Sequence, residues 1–352
     1  MQASSSHGGL ICRGLYPNSG ILVSEIGLGT NNFGRKLNYK ESEVIIKSSL
    51  DHCINLLDTA DMYSNGLSEE YIGKATKENR DQYIIASKGG MNPMPSPTDT
   101  KVAQRINEGP NKSGLSSVHI KRSVDESLKR LQTDYIDLYQ THIFDPYTRQ
   151  EETLKALDDL VTQGKIRYIG CSNYMAFELV EGIHISRKYG WAEFATIQPE
   201  FSMFEREPES ELIHACDKYN VGILPYFPLA SGFLTGKYKR NLIPEDGRLA
   251  GGNTAWSEKW LNDENFEIIE NLELWANKKG ITMVQLAFAW LLSKRSVSSV
   301  IAGATKVNQI KSNSEASGVE LTKNDLEEID KILPQTNKAG IGNLLRRIQN
   351  TP

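Results

Sequence analysis

Ser117–His142 reads SVHIKRSVDESLKRLQTDYIDLYQTH, and its two halves follow different rules. Ile120, Val124 and Leu128 recur at every fourth position, the spacing of one helix face. Ile136–His142 (IDLYQTH) is instead almost continuously apolar or aromatic, as expected of a parallel strand covered on both faces. It ends on a polar residue. This helix-then-strand unit is the template for the rest of the chain.

Seven further runs match the strand half: Glu25–Thr30 (EIGLGT), Ile54–Ala60 (INLLDTA), Tyr83–Lys88 (YIIASK), Ile166–Asn173 (IRYIGCSN), Phe194–Phe201 (FATIQPEF), Val221–Leu229 (VGILPYFPL) and Ser298–Ala304 (SSVIAGA). Helical stretches lie between them. Tyr39–His52 puts Val44, Ile45 and Leu50 on one stripe, and Glu151–Gly164, Ala176–Tyr189, Pro208–Tyr219 and Ile281–Leu292 follow the same pattern. Eight strand–helix alternations predict an α/β (β/α)8 TIM barrel. A doubly wound sheet would open on a glycine-rich dinucleotide turn. The only candidate is Gly27-Leu-Gly29-Thr-Asn-Asn-Phe-Gly34, whose third glycine falls two positions late and starts no helix.

The 352 residues are read as one domain, with a core from about 14 to 335 and a C-terminal tail over 336–352. Gly20–Val23, with Ser19-Gly20 as a turn, suggests a hairpin able to plug the barrel bottom. The long segments Gly89–Leu115 and Lys239–Trp256 follow the third and seventh barrel strands. They are therefore placed on the C-terminal face, where barrel enzymes keep their chemistry. A net charge of −4 argues against a nucleic-acid surface. No apolar run approaches the ~20 residues of a membrane span, and Met1–Gly9 lacks the apolar core of a signal peptide. Cys12, Cys53, Cys171 and Cys216 are scattered without metal-ligand spacing, and Cys53 and Cys171 are read as core residues. A cytoplasmic location is expected, with no metal.

Polar groups at the ends of apolar strands are the informative anomaly. Asp58 closes INLL, Lys88 closes YIIAS, His142 closes IDLYQT, and Tyr63 follows Asp58 by five residues. In a barrel these four meet on one rim. Each has an ordinary reading alone: a helix cap, a solvated lysine, a structural histidine. Together they suit carbonyl reduction. The developing alkoxide needs an acid, and a phenol of pKa near 10 needs a nearby ammonium to stabilise its anion. An aspartate keeps that ammonium charged, and a histidine can steer the substrate oxygen.

Leu57–Gly66 (LDTADMYSNG) with Ser68-Glu69 resembles the signature of the aldo-keto reductase superfamily. So do Gly27–Thr30 (GLGT), Ala86–Lys88 (ASK), Asp137–His142 (DLYQTH), Ile169–Asn173 (IGCSN), Ile197-Gln198, Pro225–Leu229 (PYFPL), Gly232–Tyr238 (GFLTGKY) and Ile301–Thr305 (IAGAT), in the family's order. The resemblance implies a catalytic tetrad of Asp58, Tyr63, Lys88 and His142, with Tyr63 as general acid. It also implies NADP(H) lying extended across the barrel mouth. Ser172, Asn173 and Gln198 would hold the carboxamide, Tyr226 would stack on the nicotinamide, and Thr30 and Asn31 would border its reactive end. Pro228, Leu229 and Lys237 would line the pyrophosphate, and Arg248 would reach the adenosine phosphate. Gly303, Thr305, Gln309 and Asn313, with the charge of Lys306, would take the adenosine end and favour NADP over NAD. Two positions depart from the family pattern: Ser312 stands where a Glu is common, and Phe227 where a Ser is common.

The expected activity is reduction of an aldehyde or ketone. Oxidation of a sugar or secondary alcohol, or a channel-type regulatory subunit carrying the cofactor, are the alternatives. The expected partner is a small carbonyl or alcohol, with neither nucleic acid nor membrane. Met62, Met91, Phe144, Phe201 and Trp256 are candidates for an apolar pocket wall.

Overall fold

The computed structural model describes residues 5–7, 10–17, 19–91, 112–245, 247–250 and 255–333. Three short strands, β1 (Ser5–His7), β2 (Leu10–Gly14) and β3 (Leu22–Ser24), form an antiparallel sheet ahead of the barrel. The barrel strands are β4 (Ile26–Gly29), β5 (Leu56–Asp58), β6 (Ile84–Gly89), β7 (Ile136–Thr141), β8 (Ile166–Ser172), β9 (Phe194–Gln198), β10 (Gly222–Ile223) and β11 (Val300–Gly303). They pair in parallel in the order β10-β9-β8-β7-β6-β5-β4-β11. The two ends of this sheet meet. The Ile223 N–H donates to Ser296 O at 2.6 Å, the Ser298 N–H to Ile223 O at 3.0 Å, and the Ile301 N–H to Pro225 O at 2.9 Å. All eight predicted strands are therefore present, as a (β/α)8 barrel.

The helices around it are α1 (Tyr39–Asp51), α2 (Leu67–Thr76), α3 (Ser117–Leu131), α4 (Gln150–Thr162), α5 (Ala176–Tyr189), α6 (Leu212–Tyr219), α7 (Ala255–Trp260), α8 (Asp263–Lys279), α9 (Met283–Leu292), α10 (Val307–Ser314) and α11 (Lys323–Ile332). A capping box at Asn38 and Glu41 starts α1, and another at Thr282 and Gln285 starts α9. Most of the apolar core fills the layer between strands and helices. Inside the barrel a smaller cluster joins Leu56, Ala86, Leu138, Leu224 and Ile301 to Leu15, just after β2, and to Val23 of β3 in the N-terminal sheet. That sheet lies at the N-terminal ends of the strands, as the predicted plug does. A Cβ at Gly222 would lie 2.1 Å from Leu15 O, so glycine is what admits the plug there. Arg13 ties it down through Glu25 at 2.6 Å and the carbonyls of Leu292 and Val297.

The structure departs from the sequence reading in several places. Val44 is 55% exposed, and the buried stripe of α1 runs instead through Ser42, Ile45, Ile46 and Ser49. The run Val221–Leu229 is strand only at Gly222–Ile223, because the chain turns at Pro225 into a loop with Phe227 left-handed (φ 51°). Phe194–Phe201 is strand only to Gln198. Cys171 is buried as expected, but Cys53 is only partly so and adopts φ 60°. The Gly89–Leu115 segment lies for the most part outside the described residues, as do part of Lys239–Trp256 and the tail after Leu333.

Candidate active site

Adjacent strands bring the predicted tetrad together. Asp58 ends β5, Lys88 lies one residue before the end of β6, and His142 follows β7. Lys88 is 1% exposed, and its Nζ donates to Asp58 Oδ1 and Oδ2, both at 2.8 Å, and to Thr59 O at 2.8 Å. Tyr63 opens a 3-10 turn (Tyr63–Gly66) that contains the left-handed residues Ser64 and Asn65. The Lys88 ammonium lies 5.2 Å from the Tyr63 ring centroid, and the Tyr63 and His142 rings meet edge-on with centroids 6.1 Å apart.

Burial disfavours the Lys88 ammonium, yet Asp58 and Tyr63 outweigh it and hold that charge more firmly than in water. Burial likewise raises the Tyr63 phenol, and Asp58 adds to this; Lys88 pulls the other way without reversing it. The phenol is therefore held protonated. His142 is pushed down to about 3, by burial first and then by Lys88, so it is a neutral imidazole. Its buried Nδ1 has no hydrogen-bond partner among the described residues.

A second layer ties the tetrad to β8, β9 and β10. Gln198 Nε2 donates to Asp58 Oδ1 at 2.9 Å, and the Ser172 hydroxyl donates to Gln198 O at 2.7 Å. Asn173, left-handed at φ 57°, donates through Nδ2 to His142 O at 3.0 Å and accepts the Tyr226 hydroxyl at 2.8 Å. Thr30 is fully buried, with its hydroxyl bonded to Asp58 O at 2.9 Å, whereas Asn31 is half-buried beside it.

Other predicted residues are more dispersed. Pro228 is buried and Leu229 half-buried, while Lys237 is exposed over the Tyr238 ring. Arg248 is exposed and sits 5.2 Å from the Phe227 ring centroid, so the unusual phenylalanine acts as its platform. Gly303 and Gln309 are exposed, Thr305 is half-buried and Asn313 is buried. Gln309 Oε1 accepts the N–H groups of Thr305 and Lys306, at 2.7 and 3.1 Å, and the Thr305 hydroxyl at 3.2 Å. Of the pocket-wall candidates, Met62 is exposed next to Tyr63 and Met91 and Phe144 are half-buried. Phe201 is a core residue packed edge-on against Trp290, and the Trp256 side chain lies outside the described residues.

The sequence reading missed a polar network beneath Tyr63. Glu69, fully buried, accepts Ser87 Oγ at 2.5 Å and Arg130 Nε at 2.6 Å. Ser123 donates to Asp61 Oδ2 at 3.0 Å and accepts the Tyr139 hydroxyl at 3.0 Å. A signal was present: Ser123 and Ser127 lie four residues apart on the face of α3 that also buries Ile120 and Val124. No cluster of three or more His, Cys, Asp or Glu that could hold a metal occurs among the described residues. None of the described helices is long and apolar enough to cross a membrane.

Comparison with known proteins agrees with this geometry. The profile of the Aldo/keto reductase family matches residues 25–334. The chain is 34% identical to the aldo-keto reductase YhdN of Bacillus subtilis over 92% of its own length and 94% of the relative's. It is 36% identical to a versiconal hemiacetal acetate reductase of Aspergillus parasiticus, over 82% and 88%. It is also 33% identical to a probable voltage-gated potassium channel subunit beta of Oryza sativa, over 91% and 96%. A barrel with a buried lysine–aspartate pair under a tyrosine, matched along nearly its whole length, places this chain in the aldo/keto reductase family of oxidoreductases acting on carbonyl groups.

Proposed function

We propose that the protein is an NADP(H)-dependent reductase of an aldehyde or ketone, with Tyr63 as the general acid. The observation that carries this reading is the buried Lys88 ammonium, locked on both oxygens of Asp58 beneath the Tyr63 phenol. A bound nicotinamide would supply the hydride. Tyr63 then donates its proton to the forming alkoxide, and Lys88 stabilises the resulting phenolate. Asp58 keeps Lys88 charged, and Gln198 holds Asp58 in place. His142, neutral at working pH, orients the carbonyl oxygen by hydrogen bonding and is not itself the acid.

The loop after β10 fits a dinucleotide. Phe227, Ala230, Ser231 and Gly232 all have positive φ, which coils the loop tightly, and the Ala230 and Gly232 amides close it on Phe227 O at 2.9 Å and Leu229 O at 2.8 Å. The Ser231 hydroxyl in that loop is buried without a partner among the described residues. Ser172, Asn173 and Gln198 are assigned to the carboxamide, Tyr226 to the ring face, and Thr30 and Asn31 to its border. Pro228, Leu229, Lys237 and Arg248 are assigned to the phosphates, and Gly303, Thr305, Lys306, Gln309 and Asn313 to the adenosine end. Gln309 Oε1 is engaged at its own helix start, and its Nε2 amide is the group that would donate to a 2′-phosphate.

A second reading is favoured by the relatives named as channel subunits: a cofactor-bearing regulatory subunit with little turnover. Following NADPH oxidation against a panel of aldehydes and ketones separates the two. Steady turnover supports the enzyme; tight cofactor binding without turnover supports the subunit. Reversing the assay with NADP and sugars or secondary alcohols tests the oxidative direction.

A further inference from the structure

Asp61 lies two residues before Tyr63, and its position is over-determined. Its N–H donates to Lys88 O at 2.9 Å, which fastens the turn to β6. Its carboxylate terminates a chain of donors running from Tyr139 on β7 through Ser123 on α3, each link 3.0 Å long. Burial pushes the Tyr139 phenol far above its ordinary range, so Tyr139 stays a donor and the chain has one direction. Gly89 admits this chain to the edge of β6. A Cβ there would lie 2.0 Å from the Tyr139 hydroxyl, 2.6 Å from Ser123 Oγ and 3.1 Å from Asp61 Oδ2.

The charge at Asp61 is unfavourable to its own surroundings. Burial and then Glu69 of α2 push it up to about 6, against Ser123, Arg130 of α3 and the Met62 N–H. An asparagine would accept the same hydrogen bond without that penalty. Toward the site it faces Tyr63, whose phenol feels the Asp61 charge in addition to those of Lys88 and Asp58. Toward the core it faces Tyr139.

We propose that Asp61 is a positioning residue for the general acid: Ser123, Tyr139 and Gly89 fix it so that it anchors the Tyr63 turn and sets a second negative charge behind the Lys88–Tyr63 pair. This rests on the reading of Tyr63 as the acid. When ionised, Asp61 disfavours the phenolate, so Tyr63 keeps its proton to higher pH and reduction extends into the alkaline range.

The test is the pH profile of kcat/KM for carbonyl reduction in wild type, Asp61→Asn, Asp61→Glu, Tyr139→Phe and Tyr63→Phe, each with a thermal melt to verify folding. Asp61→Asn is expected to move the alkaline limb down by about half to one pH unit. Asp61→Glu restores it. Tyr139→Phe keeps the ring but removes the first donor, and in thermal melts across pH 5–8 is expected to raise the pH at which ionisation of Asp61 costs stability. An alkaline limb unchanged in Asp61→Asn, while Tyr63→Phe is inactive, overturns the proposal and leaves the function standing. An active Tyr63→Phe overturns both. Should Asp61→Asn fail to fold, Asp61→Ser removes the same charge with a smaller side chain, and an alkaline limb left at its wild-type position in that variant overturns the proposal instead.

Discussion

The two ends of the proposed cofactor groove are built in opposite ways. At the ends of β5, β6, β8 and β9, Asp58, Lys88, Ser172 and Gln198 are nearly inaccessible and bonded to one another before any ligand arrives. At the end of β11, Gly303, Lys306 and Gln309 stand exposed, as does Arg248 in the segment after β10. The first region is positioned by the barrel's own packing; the second is held by a helix start and a loop. On the proposed function, the groups assigned to the transition state sit where rearrangement is hard, and those assigned to a phosphate sit on exposed surface. Damage to the first should cost several kcal/mol of stability and the chemistry together, whereas damage to the second should cost mainly cofactor affinity, with about 1 kcal/mol of stability at most.

The largest expected effect is at the floor of the site. Lys88→Met leaves Asp58 as a buried charge without its cation, a loss of roughly 3–5 kcal/mol. Turnover should fall by about a hundred- to ten-thousand-fold. Urea unfolding alongside turnover measures both, and an unaltered unfolding midpoint would break the contrast between the two regions. At the rim, NADPH should bind more tightly than NADH by about 10- to 150-fold, the equivalent of roughly 1.5–3 kcal/mol for a charge-assisted contact. Arg248→Ala should narrow that gap while leaving kcat nearly unchanged. Titration of intrinsic tryptophan fluorescence reads it, and equal affinities in the wild type would refute the assignment.

Acidification should act on the floor and spare the rim. His142 binds a proton in the folded protein only at about 3, against an ordinary value of about 6.5 in the unfolded chain. Between those values the unfolded chain holds more protons. The stability contributed by His142 is therefore intact above about pH 6.5 and falls as pH drops toward 3. Asp61 runs the other way: with its value raised to about 6, its ionisation costs stability as pH rises through that range. Melting curves across pH 4–7 should show a shallower acid loss for His142→Gln and a steeper one for Asp61→Asn. The smallest effect is Gln309→Ala, which removes the acceptor of the Thr305 and Lys306 amides at the start of α10 for about 1 kcal/mol. Its kcat should match wild type.

The same contrast governs what the sequence discloses. Asp58, Lys88 and His142 are legible because each ends a run of apolar residues that must be a strand, and adjacent parallel strands bring such ends together. The eight strands are legible for the same reason. The bond from Tyr226 to Asn173 joins residues 53 positions apart and has no local signal. The turn of Gln309 toward its own helix start depends on where α10 begins, which a short polar segment does not reveal. The helix α2 escapes because LSEEYIGKAT has too few apolar residues to mark a stripe, although Ile72 is fully buried. The helix α8 carries Phe266, Ile269, Leu272 and Ala276 at helical spacing, but it precedes a second helix within one connection, where a minimal barrel has a single one. Val44 shows the converse: an apolar residue on a short helix is assigned to the core by type, and geometry turns it to solvent.

The central claim is that Tyr63 delivers the proton while the rest of the groove binds the cofactor. Tyr63→Phe removes the hydroxyl and keeps the ring that packs beside His142 and Lys88. A single-turnover experiment, with enzyme preloaded with NADPH and mixed with an aldehyde that the wild type reduces, measures the chemical step directly. The account predicts NADPH affinity within about twofold of wild type and a hydride-transfer rate lower by at least about a hundredfold. A rate near that of wild type, at the same cofactor occupancy, would contradict it.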